Sequence, residues 1–125
     1  MTQKGLILFA HGARDPRWAA PFQRLQKSIK ESAPDQVVGL AFLEFMNPSL
    51  TGLAEQMIND GCAELVVTPI FLGQGGHVLR DLPEMVAQLC ARFPAVEIRI
   101  ADAVGENAMV LHAIRDYCLS TVQLP

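Results

Sequence analysis

Three residues able to hold a metal ion or move a proton, His11, Glu44 and His77, each follow an apolar run of strand length. His11 comes directly after residues 5–10 and Glu44 directly after residues 37–43. His77 follows residues 65–72 and a glycine-rich loop, Gly73-Gln74-Gly75-Gly76. Two imidazoles and one carboxylate suit a borderline divalent ion such as cobalt, iron, nickel or zinc. Such a set leaves coordination positions open, so the ion can be handed on. Taken singly, each residue is ordinary: a histidine after a strand is commonly a hydrogen-bonded loop residue, and a glutamate there a solvated charge or a cap. Their convergence on one edge of a sheet is what makes a site. His112 falls in the middle of the last helical segment and is read as a surface residue.

The elements that bring these residues together follow from periodicity. Residues 5–10, 37–43 and 65–72 are apolar without alternation, as expected of strands buried on both faces. Residues 96–101 alternate, which predicts an edge strand. Between them lie segments of helical period. Pro16 opens the first, with Asp15 as its N-cap, and Phe22, Leu25 and Ile29 recur on one face. Asn47-Pro48 reads as an N-cap and first helical position for the second, whose apolar face is Leu50, Leu53, Ala54, Met57 and Ile58 and which ends at Asp60-Gly61. The third runs from about Val78 to Arg92, and the last carries Met109, Leu111, Ile114, Tyr117 and Cys118.

Strict alternation of strand and helix implies parallel strands and right-handed crossovers, with helices on both faces. The expected fold is α/β: a doubly wound, four-stranded parallel sheet of order 2-1-3-4, forming one domain over residues 1–125. In such sheets ligands bind outside the carboxyl ends of the strands, near the switch in strand order. The three candidate residues fall on that edge.

Composition bounds the partners. Half of the residues are hydrophobic, and 10 Lys and Arg stand against 13 Asp and Glu, for a formal charge of −3. With no basic block, nucleic acid is not an expected partner. No apolar stretch approaches the ~20 residues of a membrane span, and the N-terminus lacks a signal pattern, so a cytoplasmic location is expected. Cys62, Cys90 and Cys118 stand singly, with no CxxC pair. Cys90 and Cys118 lie on apolar helical stripes, where buried thiols are common. Gly73, Gly75 and Gly76 have two readings: a tight turn into the next helix, or close approach of a flat ligand with the helix N-terminus facing an anion. Neither a phosphate-loop nor a dinucleotide pattern is present.

Residues 8–16, Leu-Phe-Ala-His-Gly-Ala-Arg-Asp-Pro, and residues 69–83, Pro-Ile-Phe-Leu-Gly-Gln-Gly-Gly-His-Val-Leu-Arg-Asp-Leu-Pro, resemble the small sirohydrochlorin chelatases, the short CbiX-type cobaltochelatases. Residues 41–44 followed by Asn47-Pro48-Ser49-Leu50 match the family's middle motif, and the resemblance covers nearly the whole chain. It implies a chelatase-like fold and insertion of a divalent metal, cobalt(II) first and iron or nickel next, into sirohydrochlorin on the way to cobalamin or siroheme. It also implies metal binding by His11 and His77, with no organic cofactor. Longer relatives carry two such units, so a homodimer is implied here. Many relatives have serine where Ala13 stands, and the histidine-rich loop of some nickel-using relatives is missing.

Metal insertion must strip water from the ion, remove two pyrrole protons and bend the macrocycle. Neutral histidines can bind the ion and then accept protons. Glu44 can serve as ligand or as proton acceptor, and the sequence does not choose. Arg14 and Arg80, three residues beyond the two histidines, can pair with substrate carboxylates or stand as surface charges. Two other functions use the same residues. A phosphoryl-transfer enzyme built on His11-Gly12 is disfavoured, because phosphohistidine phosphatases place arginine where Ala10 stands. A non-catalytic metal or tetrapyrrole carrier needs the same ligands and differs only in turnover.

Overall fold

The computed structural model describes residues 3–73 and 75–123, and it describes the backbone but not the side chains of residues 77 and 79. Four strands, β1 (Gln3–Ala10), β2 (Val37–Phe42), β3 (Cys62–Pro69) and β4 (Glu97–Ile100), form one sheet of order β2-β1-β3-β4. All its pairings are parallel, so the expected 2-1-3-4 sheet is what the chain builds. Four helices alternate with the strands: α1 (Ala20–Ser32), α2 (Leu50–Asn59), α3 (Gly76–Arg92) and α4 (Ala108–Gln123).

The period of two in the strands divides the core into two layers. Ile7 and Phe9 of β1 and Leu65 and Val67 of β3 face one way. They bury against Leu50, Leu53, Ala54 and Met57 of α2 and Leu82, Val86 and Leu89 of α3. Leu8 and Ala10, with Val38, Leu40 and Phe42 of β2, face the other way, toward Ala19, Trp18, Phe22 and Ile29. Burial of these side chains drives assembly, each fully covered Leu, Ile or Phe contributing roughly 1.5–3 kcal/mol. Leu25 stands 38% exposed at the margin of α1.

Local chemistry sets the boundaries. Asp15 accepts from the Arg17 N–H at 2.9 Å and caps a 3-10 turn, Pro16–Ala19, which leads into α1. Here the structure matches the sequence reading. At α2 it differs. Ser49, not Asn47, is the N-cap, its hydroxyl accepting from the Gly52 N–H at 3.1 Å. The Pro48 carbonyl is still taken by the Phe42 N–H of β2 at 2.9 Å, so the chain remains extended there and the helix starts two residues later. The Asn47-Pro48 bond is cis. Gly61, at φ +110°, ends α2 in the left-handed conformation expected of it.

β3 begins and ends earlier than residues 65–72. After Pro69 the Ile70 N–H still reaches the Phe9 carbonyl at 2.8 Å, but the Phe71 carbonyl turns away and accepts from the Gly105 N–H at 2.9 Å. α3 starts at Gly76, ahead of Val78, so position 77 lies in its first turn. The last helix departs furthest from expectation. No residue of α4 is buried among those described, and Cys118, expected on a covered stripe, is exposed. No helix among the described residues is long and apolar enough to cross a membrane.

Candidate functional site

The switch in strand order lies between β1 and β3, the central neighbours. From their carboxyl ends the chain leaves in opposite directions, toward α1 on one face and α3 on the other, which opens a crevice between the two loops. His11 is the first residue past β1 and is half-buried. Its ring lies against Phe71, with centroids 4.4 Å apart at an interplanar angle of 39°. Phe71 is itself buried at 3% exposure and packs edge-on against Phe9, so the imidazole rests on a fixed wall.

The loops after β1 and β2 are zipped together by their backbones. The Leu43 N–H donates to the Ala10 carbonyl at 2.9 Å, and the Glu44 N–H to the His11 carbonyl at 3.0 Å. Glu44 thereby stands beside His11 along the mouth, with its side chain exposed. The zipper depends on Gly12. It adopts φ +89°, and a Cβ there would collide with the Glu44 carbonyl oxygen. Only glycine meets both demands at ordinary cost.

Arg14 is exposed, and its guanidinium sits 4.8 Å from the centroid of the Phe45 ring. Phe45 is a feature that sequence reasoning missed. It holds φ 67°, unusual for a bulky residue, and is 58% exposed. Arg14, Ala13, Phe45 and Met46 line a cavity of about 320 Å³ beside the mouth. Leu72, past the end of β3, is 64% exposed. Its carbonyl is approached so closely by Gly105 that no Cβ fits there. The signal for both was the persistence of apolar residues beyond the strand ends, where polar turn residues are the rule.

On the β3 side, Gly75 is the N-cap position of α3 and Gly76 its first residue, and both are exposed. Gly75 has φ −74° and ψ 153°, which any residue adopts, so a tight turn does not require glycine at that position. A Cβ at either residue would meet nothing within 4 Å. Among the described residues nothing covers the backbone of Gly75 and Gly76, at the end of α3 that carries the positive pole of the helix dipole. Arg80 is exposed further along α3. The side chain of His77 lies outside the described residues. Among the described residues no group of three His, Cys, Asp or Glu side chains converges. Asp15 is held below the ordinary carboxylate range by its hydrogen bonds from Arg17, and that pair lies on the outer flank of the loop.

Known proteins resemble this chain over most of its length. The CbiX family model matches residues 5–120. A chloroplastic sirohydrochlorin ferrochelatase of Arabidopsis thaliana is 27% identical over 122 residues, 95% of this chain and 54% of the relative, so this chain spans about half its length. A sirohydrochlorin cobaltochelatase of Sulfurisphaera tokodaii is 24% identical over 90% of this chain and 88% of its own. A crystal structure of a protein from Marinobacter aquaeolei VT8, named for CbiX and cobalamin (vitamin B12) biosynthesis, superposes with a TM-score of 0.83 at 32% identity, covering 96% of this chain and 98% of that one. The fold recurs in the chelatase SirB of Bacillus subtilis solved with cobalt, at a TM-score of 0.80 and 21% identity over 51% of that chain. With its parallel sheet, its crevice at the β1–β3 switch and a family match over nearly every element, this chain belongs to the CbiX family.

Proposed function

We propose that this protein inserts a divalent metal ion into a sirohydrochlorin-type tetrapyrrole. The observation that carries the reading is the position of His11, half-buried on Phe71 at the carboxyl end of β1, beside the β3 end from which the chain runs to His77. In this reading His11 and His77 bind the incoming ion as neutral imidazoles, leaving positions open for the pyrrole nitrogens. The ion enters as M²⁺ and two pyrrole N–H protons leave, so charge balances within the ring. As each imidazole gives up the metal, its freed lone pair can take one of those protons. Glu44, beside His11 on the same mouth, is the further proton acceptor or ligand.

The macrocycle is rimmed with carboxylates. Arg14 and Arg80 are proposed as their partners, together with the N-terminus of α3 at Gly75 and Gly76, where the backbone is bare. Phe45 and Leu72 offer apolar surface to the ring itself. Cobalt(II) is the proposed ion, for cobalamin synthesis, with iron and nickel as competitors. Relatives are named for both cobalt and iron. Three free cysteines suit a reducing cytoplasm as the place of action. Two copies of the chain are proposed to enclose the substrate.

The experiment is a chelation assay with sirohydrochlorin and Co²⁺, Fe²⁺ or Ni²⁺, following the change in the macrocycle's absorption. Catalytic turnover is expected, with loss of most of it in His11→Ala and His77→Ala. Binding of one equivalent with no turnover would replace the enzyme by the carrier.

A further inference from the structure

The chain that leaves β4 reaches back to the exit of β3. A 3-10 turn, Val104–Glu106, links β4 to α4. Before it, the Ala101 N–H still donates to the Val67 carbonyl at 2.8 Å, so the chain departs in step with β3. Ala103 is buried, and the Gly105 N–H donates to the Phe71 carbonyl at 2.9 Å. The turn is closed on itself by the Glu106 N–H, which donates to the Ala103 carbonyl at 2.9 Å. Asn107 ties it to α4, its side-chain oxygen accepting from the Val110 N–H at 3.2 Å. A segment braced at both ends thus presses on the residues that follow β3.

The contact at Gly105 has no slack. A Cβ there would overlap the Leu72 carbonyl oxygen and stand 2.7 Å from the Leu72 Cα. These are backbone atoms, so no change of rotamer makes room. Gly105 does not take the left-handed φ that Gly12 takes, so glycine serves here for close approach alone. An alanine can adopt the same backbone angles, and what Gly105→Ala changes comes from pushing Leu72 away. Leu72 is joined to Phe71, the wall on which the His11 ring rests with 4.4 Å between centroids. Metal-binding imidazoles are ordinarily held in orientation by a partner behind them. At His11 that partner is the Phe71 ring, itself buried and edge-on to Phe9 at 5.9 Å.

We infer that Gly105 is a positioning residue for the metal site: the turn after β4 sets Phe71, and Phe71 sets the tilt of the His11 imidazole. The catalytic half of this inference rests on the chelatase reading above, whereas the placement of the ring does not. Gly105 does for the exit of β3 what the backbone zipper does for the exits of β1 and β2. Its distance from His11 in sequence follows from the sheet order, since β4 is the neighbour of β3. Transfer of an ion from imidazole to pyrrole nitrogen is sensitive to such placement, because a displacement of about 1 Å can cost on the order of 100-fold in rate.

Side-chain NMR of the histidines tests the placement without metal or substrate. The ring current of Phe71 moves the carbon-bound protons of the His11 ring upfield. Comparison with Phe71→Leu at about pH 8, where an ordinary histidine is neutral, measures that shift, and His11→Ala assigns the resonances. Gly105→Ala is expected to lose most of the shift while circular dichroism and a cooperative melt show a folded domain. Its kcat for Co²⁺ insertion into sirohydrochlorin is expected to fall on the order of 100-fold, with KM for the tetrapyrrole little changed. Gly5→Ala is the control. Its Cβ would meet the Leu65 side chain at 2.7 Å near the amino end of β1, so it strains the core and spares the mouth. It is expected to lower the melt and to leave the His11 resonances and kcat as in the wild type. A folded Gly105→Ala with the wild-type His11 shift would overturn the inference. So would a Gly5→Ala that moves His11 equally, because the effect would then be general loosening. If Gly105→Ala does not fold, Phe71→Leu decides, since Gly105 is argued to act through that ring: an undiminished kcat there overturns the inference, and a matching loss upholds it. A wild type that inserts no metal sinks the chelatase reading, and the spectra of the same variants still uphold or overturn the placement of His11.

Discussion

Gly12 shows how a residue beside a candidate ligand can matter more for placement than for chemistry. Its φ of +89° and the adjacent Glu44 carbonyl leave no room for a side chain. Gly12→Ala is therefore expected to cost about 1–3 kcal/mol in a urea melt, through a strained backbone. Metal insertion should fall further than stability does, because the β1 and β2 loops that carry His11 and Glu44 would part. Equal stability with full activity would show that the zipper is dispensable. The need for glycine was not legible, since the clash comes from a loop thirty-odd positions away in sequence; the place of His11 at the carboxyl end of β1 was, because its position after an apolar run is local. Cys62 makes a second case. Burial first, and the nearby Asp60 charge second, push its thiol above the ordinary value of 9.0. The folded state thus favours the protonated thiol, and this contribution to stability is full below pH 9 and declines as pH rises through the raised folded value. Native protein at pH 8 is expected to alkylate at Cys62 far more slowly than unfolded protein, as mass spectrometry of the labelled peptide can measure. Rapid native labelling there would contradict the burial of β3's first residue.

The elements were readable wherever one face of a segment alone decided the outcome. Apolar runs without alternation marked β1, β2 and β3, alternation marked β4 as an edge, and βα alternation implied that all the strands are parallel, whereas β3, read as buried on both faces, is covered on one face and half-open on the other. The errors lie where a tertiary bond competes with a local signal. Asn47-Pro48 has the sequence form of a helix start, but the Phe42 N–H claims the Pro48 carbonyl and defers the helix to Ser49. Ser49→Ala is accordingly expected to destabilise the protein by ~0.5–2 kcal/mol, the usual loss on removing an N-cap hydroxyl. Chemical denaturation checks it, and an unchanged midpoint would mean that water caps α2 equally well. The end of β3 was misplaced for a similar reason: Phe71 and Leu72 are apolar enough to continue a strand, yet Gly105 takes the Phe71 carbonyl and turns the chain out. α4 was legible as an amphipathic helix but not in its position, because periodicity says that a stripe is covered and never by what.

At the scale of the whole molecule, the question is whether one copy can hold a tetrapyrrole. A small-molecule site ordinarily buries 70–90% of its ligand in a cleft of roughly 300–1,000 Å³. The cavity beside the mouth measures about 320 Å³, the low end of that range, and a tetrapyrrole is a large ligand. Phe45 and Leu72 stand more than half exposed at the rim, so in the proposed reading a single copy would offer the ring a shelf rather than an enclosure. The missing walls would come from the pairing of two copies. Specific activity should then fall with dilution, faster than in proportion to enzyme, once the concentration drops below the dimer's dissociation constant. Initial rates over a thousandfold dilution series, with mass measured in parallel, separate the possibilities. A rate that stays proportional to enzyme while the mass halves would assign the whole of catalysis to one domain.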